Sequence, residues 1–485
     1  MRSSKILIAV LVLALAVGCS GGGGGGSTPV TLLSITVSPA NPSITVGATQ
    51  QFTASGTYSD NSTQNLTASV SWTSSAPGVA SISNIAGSNG LATAAAAGQT
   101  TITAASGGVS GTATLTVTGG GSANNEIPIT VNGALCSANS YLNKPCVRVT
   151  VCSPGTSTCQ TIDDILLDTG SYGLRIFNQA VAVPLSQVTG AAGSSIAECV
   201  QFGDGSSLWG PVQTADVILA NEPAVTVPIQ VVDSTFGTRS TGCFNADPTP
   251  AAAGFNGILG VGLFIQDCGQ ACANSPNIGR YYACNGASCS GTTVPLSNQV
   301  QNPAALLPRD NNGVLVQLPG VPLGGAPSAA GKLILGIGTQ SNNMPSSVTT
   351  YAANATTGEF TTLFGGATYS SFIDSGSNGL FFTPPSAIPI PACAAPNAIW
   401  FCPPTTTGFS ATNTGASGAP SGAVAFQIGN LTDLTLNSFN RTFVEIGGAF
   451  PGNFDWGLPF FFGKDVFVGF GGRASSLGNG PYWAY

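Results

Sequence analysis

One short sequence motif occurs twice in this chain, at residues 165–174 and 372–380. In each copy a run of apolar residues ends in a similar four-residue pattern, Asp168-Thr169-Gly170-Ser171 and Asp374-Ser375-Gly376-Ser377. Apolar residues before an aspartate predict a buried strand, and the glycine permits a tight turn after it. We therefore expect each copy to raise one carboxylate at the end of a strand.

Two such turns suit a pair of facing carboxylates. Two carboxylates about 3 Å apart cannot both ionise, so such a pair shares one proton. It then acts as a base toward a water molecule and as an acid toward a leaving group. Asp168 and Asp374 are the candidate catalytic pair, although Asp-Gly and Asp-Ser-Gly segments also form ordinary β-turns.

The composition excludes most other chemistries. The sequence of 485 residues contains no histidine, which excludes Ser-His-Asp and Cys-His catalysis and histidine-based metal centres. Charged residues make up 6% of the chain, with 12 Lys and Arg against 19 Asp and Glu. So few cations cannot form a basic patch that neutralises phosphates, and we expect no nucleic-acid partner.

The first residues are typical of an export signal. Arg2 and Lys5 precede an apolar run, residues 6–17, that is too short to span a membrane as a helix. Residues 16–19, Ala-Val-Gly-Cys, resemble a bacterial lipobox. This resemblance implies a signal peptide at 1–18, lipidation of Cys19, a glycine-rich tether at 19–30 and an outer-membrane lipoprotein. A plain secretory signal is the alternative.

Cysteine usage also favours export. The chain has 13 cysteines, and setting Cys19 aside leaves 13 − 1 = 12, an even number. An oxidising compartment with disulfides is the natural interpretation. Neighbouring cysteines predict three local disulfides, Cys152 with Cys159, Cys284 with Cys289, and Cys393 with Cys402. A zinc site at Cys268, Cys272, Cys284 and Cys289 is a competing interpretation.

Residues 31–118 have a different character from the rest of the chain. Segments such as Ser34–Val37, Gln51–Ala54 and Thr101–Ala104 alternate apolar and polar side chains, which predicts a β-sandwich. Together with Val70-Ser71-Trp72, these segments resemble the bacterial immunoglobulin-like domain of group 2. The resemblance implies a spacer or adhesive module in which Trp72 fills the core. Residues 119–124 form the expected linker.

Residues 125–485 carry further motifs in a fixed order around the two aspartate turns. These are Gln201–Ser207, Asn256–Gly262, Gly331–Gly336 and Phe461–Phe467. Their order and spacing resemble those of pepsin-like aspartic peptidases. The resemblance implies an all-β, bilobal fold with a first lobe at about 125–325, a second at about 326–485, and a cleft between them. Phe461–Phe467 would then be the strand behind the second catalytic turn.

The same resemblance assigns roles to single residues. Asp168 and Asp374 would activate one water molecule, and Thr169 and Ser375 would hydrogen-bond across the lobe interface. The remaining members of the site follow the same pattern: the turn residues Gly170, Ser171, Gly376 and Ser377, and the flap residues Phe202, Gly203, Asp204 and Gly205. A peptide or protein substrate, a monomeric chain and no metal or cofactor are implied.

Two positions differ from the family pattern. Phe202 stands where the flap normally carries tyrosine, and Arg175 stands where tryptophan commonly follows the first motif. A guanidinium near the pair would favour ionised carboxylates. We therefore keep two hypotheses, a membrane-tethered aspartic endopeptidase and a non-catalytic surface or periplasmic binding protein that retains the fold. A glycosidase with two acids on strands is a third, weaker interpretation.

Overall fold

A computed structural model describes residues 29–45, 48–94, 98–118, 125–137, 140–436 and 439–485. The predicted signal peptide, Cys19 and the linker at 119–124 lie outside these residues. The described chain is all-β and forms two compact units, Met1–Gly121 and Ser122–Tyr485. Among the helices that the structure describes, none has the length and apolar character needed to cross a bilayer.

The first unit contains short strands in three sheets. Its strands are β1 Leu32–Ser38, β2 Ser43–Thr45, β3 Thr49–Gln51, β4 Thr53–Tyr58, β5 Thr63–Asn65, β6 Ser71–Ser74, β7 Ala80–Ile82, β8 Leu91–Ala94, β9 Gly98–Ser106 and β10 Val109–Thr118. The sheet orders are β1-β4-β5, β2-β10-β9-β6 and β3-β8-β7.

Alternation of polar and apolar residues builds the core of this unit. Phe52, Trp72, Ile102 and Leu115 are buried against one another while their neighbours in sequence face water. The Trp72 indole donates a hydrogen bond to the Thr67 carbonyl at 2.9 Å, so its polar atom is satisfied inside. The prediction that Trp72 fills the core is confirmed.

The second unit contains most of the strands. They are β11 Glu126–Val131, β12 Pro145–Cys152, β13 Cys159–Asp168, β14 Tyr172–Phe177, β15 Ser186–Gln187, β16 Ser195–Gln201, β17 Ser207–Ile218, β18 Val225–Val232, β19 Gly257–Val261, β20 Tyr281–Asn285, β21 Ser288–Gly291, β22 Gly313–Leu318, β23 Ala329–Leu335, β24 Thr350–Ala352, β25 Phe360–Phe364, β26 Ala367–Ile373, β27 Leu380–Phe382, β28 Thr407–Thr414, β29 Ser421–Ile428, β30 Gly447–Gly448, β31 Asn453–Trp456, β32 Lys464–Gly469, β33 Ala474–Ser475, β34 Gly478–Asn479 and β35 Tyr482–Ala484.

Helices in this unit are short. The α-helices are α1 Pro250–Ala253, α2 Gln270–Asn274 and α3 Leu431–Thr435. Single 3₁₀ turns occur at Asn178–Ala180, Ala191–Gly193, Pro276–Ile278, Leu296–Asn298, Pro303–Leu306, Ser341–Asn343 and Leu458–Phe461.

Two large sheets carry the second unit, and β33 pairs with β34 in a separate two-stranded sheet. The larger runs β21-β20-β16-β17-β18-β14-β19-β13-β12-β11-β23-β22-β32-β35-β24, with β15 beside β17, and the smaller runs β29-β28-β25-β26-β31-β27-β30. β23, which contains the predicted Gly331–Gly336 motif up to Leu335, pairs with β11 on one side and β22 on the other. It therefore lies between two strands that are far apart in the sequence.

Each aspartate turn has the same strand arrangement. β13 leads into the first turn and β14 leaves it, and the later strand β19 lies between them, parallel to β13 and antiparallel to β14. β26 and β27 flank the second turn, and β31 lies between them with the same two directions. A repeated sequence motif thus gives a repeated local fold.

The strand behind the second turn is not the one predicted. Phe461–Phe467 ends a 3₁₀ turn and enters β32, which pairs with β22 and β35 in the larger sheet. β31 takes the predicted position instead. A Cβ on Gly457, which follows β31, would lie 2.0 Å from the Gly379 carbonyl, and only glycine permits that approach. In the sequence a bulky aromatic residue precedes glycine at both 456–457 and 462–463. The close approach of Gly457 to the Gly379 carbonyl accounts for the first pair lying behind the second turn.

Aromatic rings fill the core beside the second turn. Phe454 stacks on Phe382 at a centroid distance of 4.5 Å and on Trp456 at 4.4 Å, and Phe364 and Phe426 pack edge-on against this group. Burial of each such side chain contributes about 1.5–3 kcal/mol. Because strand neighbours alternate sides, the residue between Phe454 and Trp456 faces away from the rings.

Six disulfides cross-link loops and strand ends of the second unit. The three predicted local pairs, Cys152–Cys159, Cys284–Cys289 and Cys393–Cys402, are present. The others are Cys136–Cys146, Cys199–Cys243 and Cys268–Cys272. All four cysteines of the zinc interpretation are therefore bonded in disulfides, and that interpretation is wrong. The disulfides indicate an exported protein.

Candidate functional site

The first aspartate turn folds back on its own carboxylate. The backbone N–H of Gly170 donates to Oδ1 of Asp168 at 2.7 Å, and the N–H of Ser171 donates to the same oxygen at 3.1 Å. The Ser171 hydroxyl donates to Oδ2. Three donors on one buried carboxylate fix its orientation.

The second turn repeats this pattern with one contact fewer. The N–H of Gly376 donates to Oδ1 of Asp374 at 2.7 Å, and the Ser377 hydroxyl donates to Oδ2 at 2.9 Å. The hydroxyls of Ser171 and Ser377 thus donate to equivalent oxygens of the two carboxyls.

Reciprocal hydrogen bonds hold the two turns together. The Thr169 N–H donates to Oγ of Ser375 at 3.1 Å, and the Ser375 N–H donates to Oγ1 of Thr169 at 2.9 Å. Each hydroxyl then donates to the opposite strand, Thr169 to the Ile373 carbonyl at 2.9 Å and Ser375 to the Leu167 carbonyl at 2.8 Å. Both side chains are buried and fully bonded, so the turns form one rigid unit.

This unit places the two carboxyls side by side. A Cβ on Gly170 would lie 2.5 Å from the Asp374 carboxyl carbon, and a Cβ on Gly376 would lie 2.9 Å from the Asp168 carboxyl carbon, so each carboxyl lies against the glycine of the opposite turn. Burial and the negative charge of Asp168, with a further contribution from Asp455, raise the pKa of Asp374 well above its ordinary value. The pair therefore holds a proton at a pH where isolated carboxyls are ionised.

A third carboxyl, Asp455, lies next to this pair and was missed in the sequence analysis. Burial and the negative charge of Asp168 raise its pKa well above the ordinary value, although Ser377 lowers it. Its Oδ1 is buried and has no hydrogen-bond partner. An acid between the apolar residues Phe454 and Trp456 was the available sequence signal.

The predicted flap is a β-hairpin formed by β16 and β17. At its tip the Phe202 N–H donates to the Ser206 carbonyl at 3.0 Å and the Gly205 N–H donates to the Phe202 carbonyl at 3.0 Å, with Gly205 in a left-handed conformation. Phe202 is half-buried against the apolar cluster that includes Leu208. A Cβ on Gly203 would lie 3.4 Å from the Phe450 ring, so the tip reaches a residue of the second half of the sequence.

A tyrosine outside the predicted flap also faces the carboxyl pair. The hydroxyl of Tyr141 donates to the Gly376 carbonyl at 3.2 Å, and its ring joins the cluster that contains Phe202. Burial raises its pKa, and the charges of Asp374, Asp204 and Asp168 raise it further. Tyr141 therefore lies within electrostatic reach of both the pair and the flap tip. Sequence spacing alone gives no signal for this contact.

The loop that carries Tyr141 is firmly held. Cys136–Cys146 closes it, and the buried Lys144 ammonium lies 2.7 Å from Oδ1 of Asp164. The Asn143 amide donates to the Asn378 carbonyl at 2.9 Å, just after the second turn. The loop thus supports the Asp374 turn from the first half of the sequence.

Arg175 does not act as the sequence predicted. Its guanidinium is fully buried and lies 2.9 Å from Glu198 and 3.1 Å from Asp267. Burial and the nearby Glu198 raise the pKa of Asp267 well above its ordinary value, while Arg175 lowers the pKa of Glu198 despite burial. Arg175 therefore makes its ion pairs with Glu198 and Asp267 and not with the aspartate pair.

One group of metal-type ligand atoms occurs in the described residues, at Cys136, Cys146 and Asp164. The two sulfur atoms are bonded to each other, and Lys144 occupies the carboxylate. Thiolate ligation needs free, deprotonated sulfur, so this group does not fit a metal.

Fold and site together define an exported all-β protein with an immunoglobulin-like domain and a buried pair of aspartates. Residues 121–485 match the family described as "Protein of unknown function (DUF3443)", and the chain belongs to this family. Residues 31–117 match the bacterial Ig-like domain, group 2, as the sequence predicted.

Other similarities cover less of the chain. A segment of 89 residues is 47% identical to Ice-binding protein 1 of Shewanella frigidimarina, and it covers 18% of this chain and 10% of that protein. The S-layer protein SbsC matches through its domains 5–6, at 18% identity over 42% of this chain and 100% of that one, with a TM-score of 0.17. Its domains 4–9 match at 19% identity over 44% and 33%, also at 0.17. These TM-scores carry no argument about the fold.

Proposed function

We propose that residues 125–485 form a pepsin-like, bilobal aspartic endopeptidase in which Asp168 and Asp374 activate one water molecule. The observation that carries this proposal is the pair of adjacent carboxyls on two turns that Thr169 and Ser375 join by reciprocal hydrogen bonds. The repeated strand arrangement around the turns supports the two-lobed division at about residue 325.

The proposed chemistry uses one shared proton. The ionised carboxyl takes a proton from the water as its oxygen attacks the scissile carbonyl carbon, and the protonated carboxyl hydrogen-bonds to the carbonyl oxygen. When the tetrahedral intermediate collapses, a proton passes to the leaving nitrogen and the C–N bond breaks. Ser171 and Ser377 keep the outer oxygens in place, and the flap at 202–205 covers the substrate.

The test is proteolysis by the full chain. We expect cleavage of an unfolded protein that increases as pH falls below neutral, because the raised pKa of Asp374 keeps the pair protonated only below that pKa. A statine-type inhibitor, which mimics the tetrahedral intermediate, should block it. Cleavage that persists in Asp374→Ala would place the chemistry elsewhere.

A second candidate function is ligand binding without cleavage. A cavity of about 570 Å³ is lined by Phe409, Phe426, Leu323 and Lys464 among others, none of which belongs to the aspartate turns. Its apolar walls and single ammonium suit an apolar ligand with an acidic group. Absence of proteolysis at every pH, with binding of a fluorescent fatty acid that Phe409→Asp abolishes, would favour this function.

For cellular location we propose an outer-membrane lipoprotein anchored through Cys19 and monomeric in solution. Metabolic labelling with a palmitate analogue tests the anchor. Label that is lost in Cys19→Ala supports it, while an unlabelled, secreted chain supports the plain secretory signal.

A further inference from the structure

The smaller sheet of the second unit ends in a long edge strand. This strand, β29, has eight residues, whereas the other ends of the two large sheets are β21, β24 and β30, with four, three and two residues. Among the described residues β29 pairs with β28 alone. A long edge strand exposes a row of N–H and C=O groups with which another extended chain can pair.

The direction of these groups follows from the hairpin that β28 and β29 form. The Gly415 N–H donates to the Pro420 carbonyl at 3.0 Å, and the register continues without a bulge over all eight pairs of the two strands. Because backbone groups alternate sides along a strand, every second residue after Pro420 faces β28. Within the described part of the chain the intervening residues have no backbone hydrogen-bond partner, and their side chains are exposed: Ser421, Ala423, Ala425 and Gln427.

The features that usually protect an edge strand are missing from β29. Natural edge strands are protected by charged side chains, by proline, by bulges or by short length. β28 and β29 contain no charged residue and no proline, and their register is unbroken. The outward side chains are small or uncharged, so a second backbone can approach. An extended peptide carries donors and acceptors at the spacing that this edge requires.

The cavity of about 570 Å³ borders one end of this edge. Ala425 and Gln427, two of the four outward residues, line it together with Leu323 and Lys464. The Lys464 ammonium donates to the Phe460 carbonyl at 2.9 Å and forms no ion pair with a described carboxylate. An ammonium has three donors, so Lys464 can also bind a carboxylate. A strand added to β29 would therefore place its side chains beside an apolar cavity and a cation.

We propose that the edge of β29 binds an extended segment of another protein as an added strand, with an apolar side chain of that segment in the cavity and one of its carboxylates at Lys464. Main-chain hydrogen bonds supply the affinity, and the cavity and Lys464 supply the specificity. A second copy of β29 fits less well, because it carries no carboxylate. Asp168 and Asp374 take no part, so this surface is independent of the proposed peptidase function.

The first test measures binding of one peptide to the full chain by fluorescence polarisation. The probe is a labelled eight-residue peptide in which threonine alternates with Val, Phe, Asp and Val. We expect equal affinity in the wild type and in Asp374→Ala, which also keeps the probe intact if the wild type cleaves peptides. Affinity that is lost in Asp374→Ala would place the peptide at the aspartate pair and overturn the proposal. No saturable binding at up to about 1 mM probe would also overturn it.

Two substitutions test the edge and the cation separately. Ala425→Pro removes one outward N–H, leaves the bonds to β28 in place and should weaken binding at least about tenfold. Ala425→Gly keeps this N–H and should stay within about threefold of the wild type. Equal affinities in these two variants overturn the strand pairing. Lys464→Met should weaken binding of the probe about tenfold but leave a probe with Asn in place of Asp unaffected. Equal losses for both probes overturn the role of the ammonium.

Amide hydrogen exchange of the full chain tests the geometry at single residues. With the probe bound, exchange should slow at the outward N–H groups of Ala423, Ala425 and Gln427 and stay unchanged at the alternate positions, which already bond to β28. Slowing that is spread evenly along β29, or is absent from it, overturns the proposal.

Light scattering of the full chain tests the competing occupant. We expect a monomer without the probe. A dimer that Ala425→Pro converts to a monomer would mean that a second copy covers β29, and it would overturn the proposal.

Discussion

The halves of the second unit that contain Asp168 and Asp374 share a strand arrangement but place charge differently. In the first half the buried charge is Arg175, held by Glu198 and Asp267 and facing β19 through Ile258. In the second half the strand positions equivalent to Arg175 and Ile258 carry Phe381 and Asp455.

Two matching strand arrangements therefore surround their aspartate turns with different side chains. Backbone hydrogen bonds and glycine contacts set the two turns, and these act alike in both halves. Side chains behind the turns differ, with Ile258 behind the first and Asp455 behind the second. Burial and Asp168 raise the pKa of Asp374, and Asp455 contributes to this rise.

The strongest test of this comparison is to replace each carboxyl of the pair separately by an uncharged amide. We expect Asp168→Asn and Asp374→Asn each to lower kcat by about a hundred- to ten-thousandfold, because a shared proton needs both groups. Asp465→Asn, the same change at an exposed strand position, is the control. Peptide cleavage under single-turnover conditions gives the rates. Loss in only one variant would mean that the halves are not partners in one reaction.

The buried charge of the first half gives the next largest effect. Arg175→Met should lower the free energy of unfolding by about 3–5 kcal/mol, because Glu198 and Asp267 remain buried without their closest cation. Arg148→Met, which removes the exposed pair with Asp163, should cost about 1 kcal/mol or less. Denaturant unfolding measures both. The cost of Arg175→Met should shrink at acid pH, where both acids are protonated, and a cost that grows there would contradict this account.

The reciprocal hydrogen bonds of Thr169 and Ser375 test whether the two halves contribute equally to the free energy of unfolding. Thr169→Val and Ser375→Ala each leave a buried N–H of the opposite turn without its acceptor, which costs about 1–3 kcal/mol. We expect the two costs to agree within about 1 kcal/mol. Urea titration followed by tryptophan fluorescence provides the comparison. A much smaller loss of unfolding free energy in one variant would show that the hydrogen bonds of only one of the two side chains stabilise the turns.

Tyr141 gives the smallest expected effect. Tyr141→Phe removes the hydroxyl that donates to the Gly376 carbonyl, a bond worth about 1 kcal/mol, so kcat/KM should fall by up to about tenfold. Phe202→Tyr adds a hydroxyl at the flap and serves as the matched reverse change. If Phe202→Tyr restores the rate in the Tyr141→Phe background, the two positions supply the same hydroxyl to the substrate. A rate unchanged by Tyr141→Phe would limit Tyr141 to supporting the turn.

Features that depend on the local sequence pattern could be predicted from the sequence alone. Alternating residues gave the strands of the immunoglobulin-like domain, and short spacing paired Cys152 with Cys159. The repeated Asp-(Thr/Ser)-Gly-Ser motif marked the residues of both turns, because glycine and hydroxyl side chains are what a tight, hydrogen-bonded turn requires.

Contacts between residues far apart in the chain could be identified from the tertiary structure but not from the sequence pattern. The partners of Arg175, the strand behind the second turn, and the approach of Tyr141 to Gly376 depend on which backbones fit together. Asp455 was visible as an acid in an apolar segment, but its short distance from the second aspartate turn was not. Strand register fixes that distance, and register is set by long-range pairing and steric clearance, which a local pattern does not contain.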